Sequence, residues 1–312
     1  MGHDQRFKEF LHAFLRDFLR LFFPDVEKQL DFRSLEFLDP GVFTDRPEGM
    51  PREADVVAKL ETRNGDPALV LIHVEVQLRP HPDFGARMHE YYTLLCSCYK
   101  LPVLPFALFL RGGKKGLGTQ EYVRTLLGRN VNQFRYESVH LARLGVEEYG
   151  GRGGPAGAGL AALMDRSTIG DVERLRASLM RRVVQGELDE EREFILIDLI
   201  QTYFGFTAQQ MTRYRQLVSR KEFRDVQEVE LTWADKLLKK GEERGMEKGL
   251  EQGREVGLLE GKREALLRCL AVKFGALPDR TTSRLRTIES VDELDALLER
   301  VVVVASLEEM GL

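Results

Sequence analysis

Three cysteines in 312 residues are too few for a disulfide framework. Cys96 and Cys98 lie in a stretch of helical spacing and Cys269 stands far away. With no second Cys/His cluster at zinc spacing, helical thiols account for the Cys-x-Cys pair better than a metal does. Long apolar runs are also missing: the most hydrophobic stretch, residues 101–110, is short and broken by Pro102 and Pro105. The N-terminus opens on charged residues without a signal-peptide pattern, so the expectation is a cytoplasmic protein that does not enter the membrane. There is no excess of positive charge either. A formal charge of −4 gives no global attraction to phosphates, so any nucleic-acid contact must rest on local basic patches. Phe and Tyr interleave too sparsely with basic residues to argue for single-strand stacking, and no helix carries a base-reading signature.

What is present suffices for a globular protein. Hydrophobic residues make up 43% and charged residues 31%, and the length suggests two domains or one domain with an appendage. Apolar residues recur at three and four from Phe7 to Phe23, ahead of Pro24, which predicts an amphipathic helix. Strand-like runs follow at 30–38, 54–60 and 68–78, the last two separated by the turn signal Arg63-Asn64-Gly65-Asp66. Helical spacing returns over Phe84–Tyr99, a strand covered on both faces is expected over 103–110, and another near 134–141. The order implies an α/β layer with a helix on each side of a small mixed sheet. Residues 1–149 are thus predicted as an α/β domain, 150–160 as a Gly-rich linker and 161–225 as a helical region. A long charged helix over 226–264 and a small helical module over 265–312 complete the expected layout.

The charged helix carries the one internal repeat, with Gly241, Gly245, Gly249, Gly253, Gly257 and Gly261 at every fourth position. Such a row drifts by roughly 40° per step and winds around the helix. Six interior glycines cost about 5–6 kcal/mol relative to alanine, so the helix needs outside support. Glu243, Glu247, Glu251 and Glu255 form a like-charged row, with Arg244 and Lys248 beside it. A second copy packing on the glycine row and pairing acid with base is one reading, giving a homo-oligomer through the helical C-terminal half. A solvated spacer is the other.

Chemistry is concentrated in Leu69–Leu78, a run apolar on both alternating sets with Glu75 inside it. A buried carboxylate costs several kcal/mol without a cation or several donors, and Asp55 poses the same problem on the preceding strand. Both could share one divalent ion. The two acids are equidistant from Gly65, so they oppose each other on one face only if the turn is odd in length or a bulge restores the register. A site of two carboxylates, a backbone carbonyl and waters suits Mg²⁺ or Mn²⁺, and phosphodiester hydrolysis is the natural reaction for such an ion.

Asp55 followed by Glu75-x-Gln77 at the end of a buried strand, within this element order, resembles the PD-(D/E)XK nuclease superfamily. Asp4-x-x-Phe7-Lys8, Arg52-x-x-Asp55, His73-x-Glu75-x-Gln77 and Arg87-x-x-x-Tyr91 resemble more closely the recombination-promoting nuclease and putative transposase family. The glycine-repeat tail and the segment around Lys273-Phe274-Gly275 are similar to that family's appendages. The resemblance implies a restriction-endonuclease-like fold in residues 1–149 and a metal-dependent DNA endonuclease linked to recombination or mobile elements. It implies that Asp55 and Glu75 hold the metal with the Val76 main-chain carbonyl. Gln77 stands where the superfamily pattern usually has Lys, and an amide supplies neither positive charge nor a transferable proton. Lys8 or Arg87 could bring that charge from a neighbouring helix.

Further residues carry two readings each. Asp4 is an accessory acid at the metal or a charge favoured at a helix N-terminus. His73 shares a face with Glu75 and either contacts substrate or supports the carboxylate by a hydrogen bond. Arg87 and Tyr91 hold phosphate or brace the site. Arg111, Lys114, Lys115, Arg124, Arg129 and Arg135 stand against one acid, Glu121, between 111 and 135. With the flexible Gly112-Gly113 and Gly116–Gly118 stretch, they offer a sequence-independent grip on a DNA backbone or a solvated loop. Beside the active endonuclease stands an alternative: a catalytically weak or inactive nuclease fold that binds DNA or serves as an oligomeric scaffold.

Overall fold

The structure, a computed structural model, describes residues 3–38, 55–113, 115–288, 290–304 and 306–310. Arg52 and Lys114 lie outside the described residues, as do the side chains of Asp4, Glu243, Arg244, Glu247, Lys248, Glu251 and Glu255. The chain divides into two compact units, residues 1–231 and 232–312.

The first unit opens with helix α1 (His3–Phe22), kinked at Phe14, and the single turn α2 (Pro24–Glu27). Phe7, Phe10, Leu11, Leu15, Phe18 and Leu19 on α1 are fully or almost fully buried, which realises the three-and-four spacing of the sequence. Strands β1 (Leu30–Leu38), β2 (Val56–Thr62) and β3 (Leu69–Gln77) pair antiparallel. Helix α3 (Phe84–Tyr99) then crosses over to β4 (Val103–Phe109), parallel to β3. Strands β5 (Leu117–Leu126) and β6 (Arg129–His140) form a hairpin, and β6 runs parallel to β4. The mixed sheet therefore has the order β1-β2-β3-β4-β6-β5.

The two faces of the sheet can be assigned by alternation. His12 of α1 stacks on Phe37, whose partner Ala58 pairs in turn with Ile72, so α1 covers that face. His73, one residue on, points to the opposite face and meets Tyr91 of α3 edge-on at 5.7 Å. One helix thus covers each face, as the element order implied.

Two expectations need correction. The basic stretch 111–135, taken as loop ahead of a strand near 134–141, contains all of β5 and the first half of β6. Residues 150–160 are no linker: they hold most of α5 (Gly154–Ala161), in which Ala156–Ala161 are buried. Glycine serves close packing there, since a Cβ on Gly159 would stand 2.7 Å from Leu196 Cδ2. The first unit accordingly continues through α6 (Val172–Val184), α7 (Glu190–Tyr203) and α8 (Ala208–Val218). Asp171 and Asp189 cap α6 and α7, and Thr207 with Gln210 forms a reciprocal capping box on α8. Arg6 binds Asp198 at 2.6 Å and ties α1 to α7. Deeper in, buried Arg176 donates to Gln201 Oε1 and pairs with Glu230 at 3.3 Å, and Glu230 also accepts from the Tyr214 hydroxyl at 2.8 Å. Burial beside Glu230 pushes the Tyr214 phenol up.

Helix α9 (Arg224–Phe274) includes the six repeat glycines, and among the described residues nothing lies within 4 Å of a Cβ built on any of them. In the second unit, α10 (Asp279–Arg286), α11 (Val291–Val303) and the turn α12 (Leu307–Met310) follow. Leu266, Leu270, Leu285, Ile288, Leu294, Leu297, Val301 and Met310 form that unit's own apolar core. No helix among the described residues is long and apolar enough to cross a membrane.

Candidate metal centre

The β2–β3 register decides whether the two acids can cooperate. Val56 pairs with Val74, Val57 with His73, and the ladder continues to Glu61 and Leu69, every pair equidistant from Gly65. Thr62 N–H donates to Ala68 O at 3.0 Å, which leaves residues 63–67 as an odd-length turn with Gly65 at φ +73°. No bulge intervenes. Continued by one residue, the same register brings Asp55, in the bend ahead of β2, level with Glu75.

Hydrogen bonds hold the pair in place. The Asp55 backbone N–H donates to Glu75 Oε1 at 3.0 Å, and the Val76 N–H donates to Asp55 Oδ2 at 2.8 Å. Glu75 is 3% exposed, in the middle of the sheet. Its Oε1 also accepts from His73 Nε2 at 3.0 Å, which leaves His73 Nδ1 buried with no hydrogen-bond partner. Of the two readings of His73, support of the carboxylate is the one the geometry matches. Lys8 Nζ stands 3.2 Å from Asp55 Oδ1, so α1 brings a cation to the site.

Positive charge remains short. Burial, and then the negative charge of Glu75, push the Asp55 carboxyl up to about 6, although Lys8 and the Val76 N–H act in the other direction. Two carboxylates with one partly exposed lysine, beside Asp55, fit a divalent cation. The carbonyl of a strand residue points to the same side as its N–H, so the Val76 C=O lies on the Asp55 side of β3. It accepts from the Gln77 side-chain amide at 2.9 Å. The hard-oxygen set Asp55, Glu75 and Val76 therefore suits Mg²⁺ or Mn²⁺. Among the described residues no group of three His, Cys, Asp or Glu side chains forms a ready-made cage, so this set depends on the main-chain carbonyl and on water.

Asp55 lines a cavity of about 770 Å³ with Lys8, His12, Asp189 and Arg192 among the other walls. Burial and the neighbouring Lys8 push the His12 imidazole below its usual range. His12, Asp189 and Arg192 escaped the sequence reading. Nothing local to α7 signals that it would close this cavity from more than a hundred residues away. Arg87 and Tyr91 line a separate cavity of about 420 Å³ with His81, Asp83 and Glu90. Nε and one terminal nitrogen of Arg87 are buried without a partner, and its guanidinium lies 5.2 Å from the centre of the Phe84 ring. Tyr91 touches His73, so it braces the site from behind. Arg111 and Lys115 flank the segment that leads into β5, away from this cluster in sequence. No protein-family model, curated protein or solved structure matches the chain.

Proposed function

We propose that the first unit is a divalent-metal-dependent DNA endonuclease with a restriction-endonuclease-like sheet, and that the helical C-terminal half mediates self-association. The observation that carries this reading is the pair Asp55 and Glu75, brought level by an odd-length turn, joined through the Asp55 N–H to Glu75 Oε1, and short of positive charge. The sequence resemblance supplies the choice of DNA as substrate and the link to recombination or mobile elements.

Asp55, Glu75 and the Val76 carbonyl would hold Mg²⁺ or Mn²⁺. Bound there, the ion would polarise the scissile phosphate and acidify a water. The chain's own residues do the rest. His73 fixes the rotamer of Glu75 through Nε2, as the supporting partners of metal ligands do. Gln77 orients the Val76 carbonyl through its amide and offers a phosphate or water a neutral hydrogen bond. Lys8 takes the cationic role left vacant at Gln77, from α1 instead of from β3, and can balance charge that develops on the phosphate. Glu75 and His73 are buried, which shields that side of the pair from bulk water, while Asp55 and Lys8 face the cavity from which substrate would enter.

A second reading has its own support. Lys8 already engages Asp55, and Gln77 already engages Val76, so a fold of this kind can bind DNA without cutting it. Purified protein incubated with supercoiled plasmid, with and without Mg²⁺ or Mn²⁺, separates the two. Metal-dependent nicking that disappears in Asp55→Asn and Glu75→Gln supports the endonuclease. Retention of DNA without nicking supports the binding module, and the absence of both leaves an oligomeric scaffold.

A further inference from the structure

The β5–β6 hairpin has a base and a tip of opposite character. At its base Phe134 and Tyr136 are buried, with Tyr122 beside them, against Phe84 and Met88 of α3. Beyond that anchor Val123–Val131 are all exposed, although β5 and β6 stay paired to Leu126 and Arg129. A two-stranded ribbon wetted on both faces has little reason to carry large aliphatic side chains. This one carries Val123, Leu126, Leu127 and Val131, exposed by 38%, 62%, 94% and 55%.

Leu127 is disfavoured on two counts. It and Gly128 turn the hairpin with φ of +50° and +72°, the left-handed pair of a type I′ turn, whose first position favours Asn, Asp or Gly. A leucine there meets Cβ crowding in the backbone and leaves its side chain in water. From Tyr122 to Tyr136 the chain has Arg124, Arg129 and Arg135 and no acid. Arg124 and Arg129 straddle the apolar tip.

An arginine-flanked ribbon with an aliphatic point matches one kind of surface. Two-stranded ribbons enter the grooves of duplex DNA, phosphates line the rims, and in the minor groove apolar side chains wedge between base steps. Glu75 is level with Ala107 and Ala107 with Ser138, and β3, β4 and β6 run parallel, so the ribbon extends back past the start of β3. At about 3.3 Å per residue its tip stands on the order of 35 Å from the level of Glu75, clear of the sheet and free to reach a ligand that the sheet itself does not touch. We propose that the β5–β6 arm grips duplex DNA, with Leu126 and Leu127 as the wedge and Arg124 and Arg129 on the phosphates. This rests on the reading of DNA as substrate and names the element that holds it.

The test is fluorescence anisotropy of a labelled 30-base-pair duplex with the full chain in EDTA, over a range of salt, beside the plasmid-nicking assay. Leu127→Asn suits the turn better than leucine, so its melting temperature should match or exceed that of the wild type. Its affinity for the duplex should nevertheless fall about tenfold. Arg124→Gln/Arg129→Gln should lower the slope of log K against log salt by about 2. Wild-type binding with no loss in either variant overturns the proposal and leaves the endonuclease reading intact. Ribbon-dependent binding without nicking upholds the arm and removes the endonuclease. A wild type that binds no duplex overturns the arm, and one that neither binds duplex nor nicks plasmid with Mg²⁺ or Mn²⁺ present overturns both. Sedimentation with phosphatidylserine vesicles that Leu127→Asn abolishes, while its DNA affinity stays unchanged, assigns the arm to a membrane and also overturns it.

Discussion

Replacing Asp55 with Asn should make the protein more stable, because the carboxylate sits where its charge is poorly compensated. Its pKa is pushed up from 3.8 to about 6, chiefly by burial and then by Glu75. A rise of roughly two units corresponds to about 3 kcal/mol of penalty on the ionised form. The sign follows from linkage. With the folded value above the unfolded one, the folded state binds more protons between the two values. Stability therefore rises as pH falls through about 6 and levels off below 3.8. Asparagine carries no charge to desolvate and still accepts from the Val76 N–H. It strands Lys8, which takes back part of the gain. In EDTA at pH 8 the variant should exceed the wild type by about 1–3 kcal/mol, a melting shift of the first unit of about 3–9 °C by circular dichroism. The gap should close by about pH 4, the unperturbed value for Asp. Adding Mg²⁺ at pH 8 should stabilise the wild type and leave the variant unmoved. An Asn variant less stable than the wild type at pH 8, or a gap independent of pH, refutes the charge argument.

Lys8→Ala removes the cation nearest Asp55, so ionisation of that acid should need a higher pH. The pH profile of metal-dependent nicking should move alkaline by up to roughly one unit, and an unchanged profile would show that Lys8 is spectator to the site. Arg176→Met leaves Glu230 partly buried without its arginine and should cost about 3–5 kcal/mol in denaturant unfolding. A loss below about 1 kcal/mol would mean water replaces the guanidinium. Gly159→Ala drives a methyl toward Leu196 and should destabilise by about 1–3 kcal/mol; a neutral result would show that α5 and α7 can part without cost.

The elements around Asp55 and Glu75 were legible because burial there is two-sided or periodic. Leu69–Leu78 could only be a covered strand, and equal spacing from Gly65 tied the acids' chemistry to the parity of the turn. Lys8 could be suggested as a source of charge, but its approach to Asp55 depends on how α1 packs on the sheet, which no local pattern encodes. The β5–β6 arm escaped because its tip is exposed on both faces and so has no alternation, and because its turn uses Leu127-Gly128 in place of Asn-Gly. Helix α5 escaped for the opposite reason. Glycines that let helices approach closely, such as Gly159 against Leu196, have the same composition as a flexible linker. His12, Asp189 and Arg192 converge on the cavity beside Asp55 only through tertiary packing.

The apolar nucleus after Thr232 draws every member, from Leu266 to Met310, out of the second unit. A lesion in it can melt residues 232–312 and leave the hearts of the sheet and of the α5–α8 bundle whole. Inheritance can then treat the two halves as separate goods: a gene broken within the codons of α9 and rejoined to another tail would keep its carboxylates and carry a different second unit.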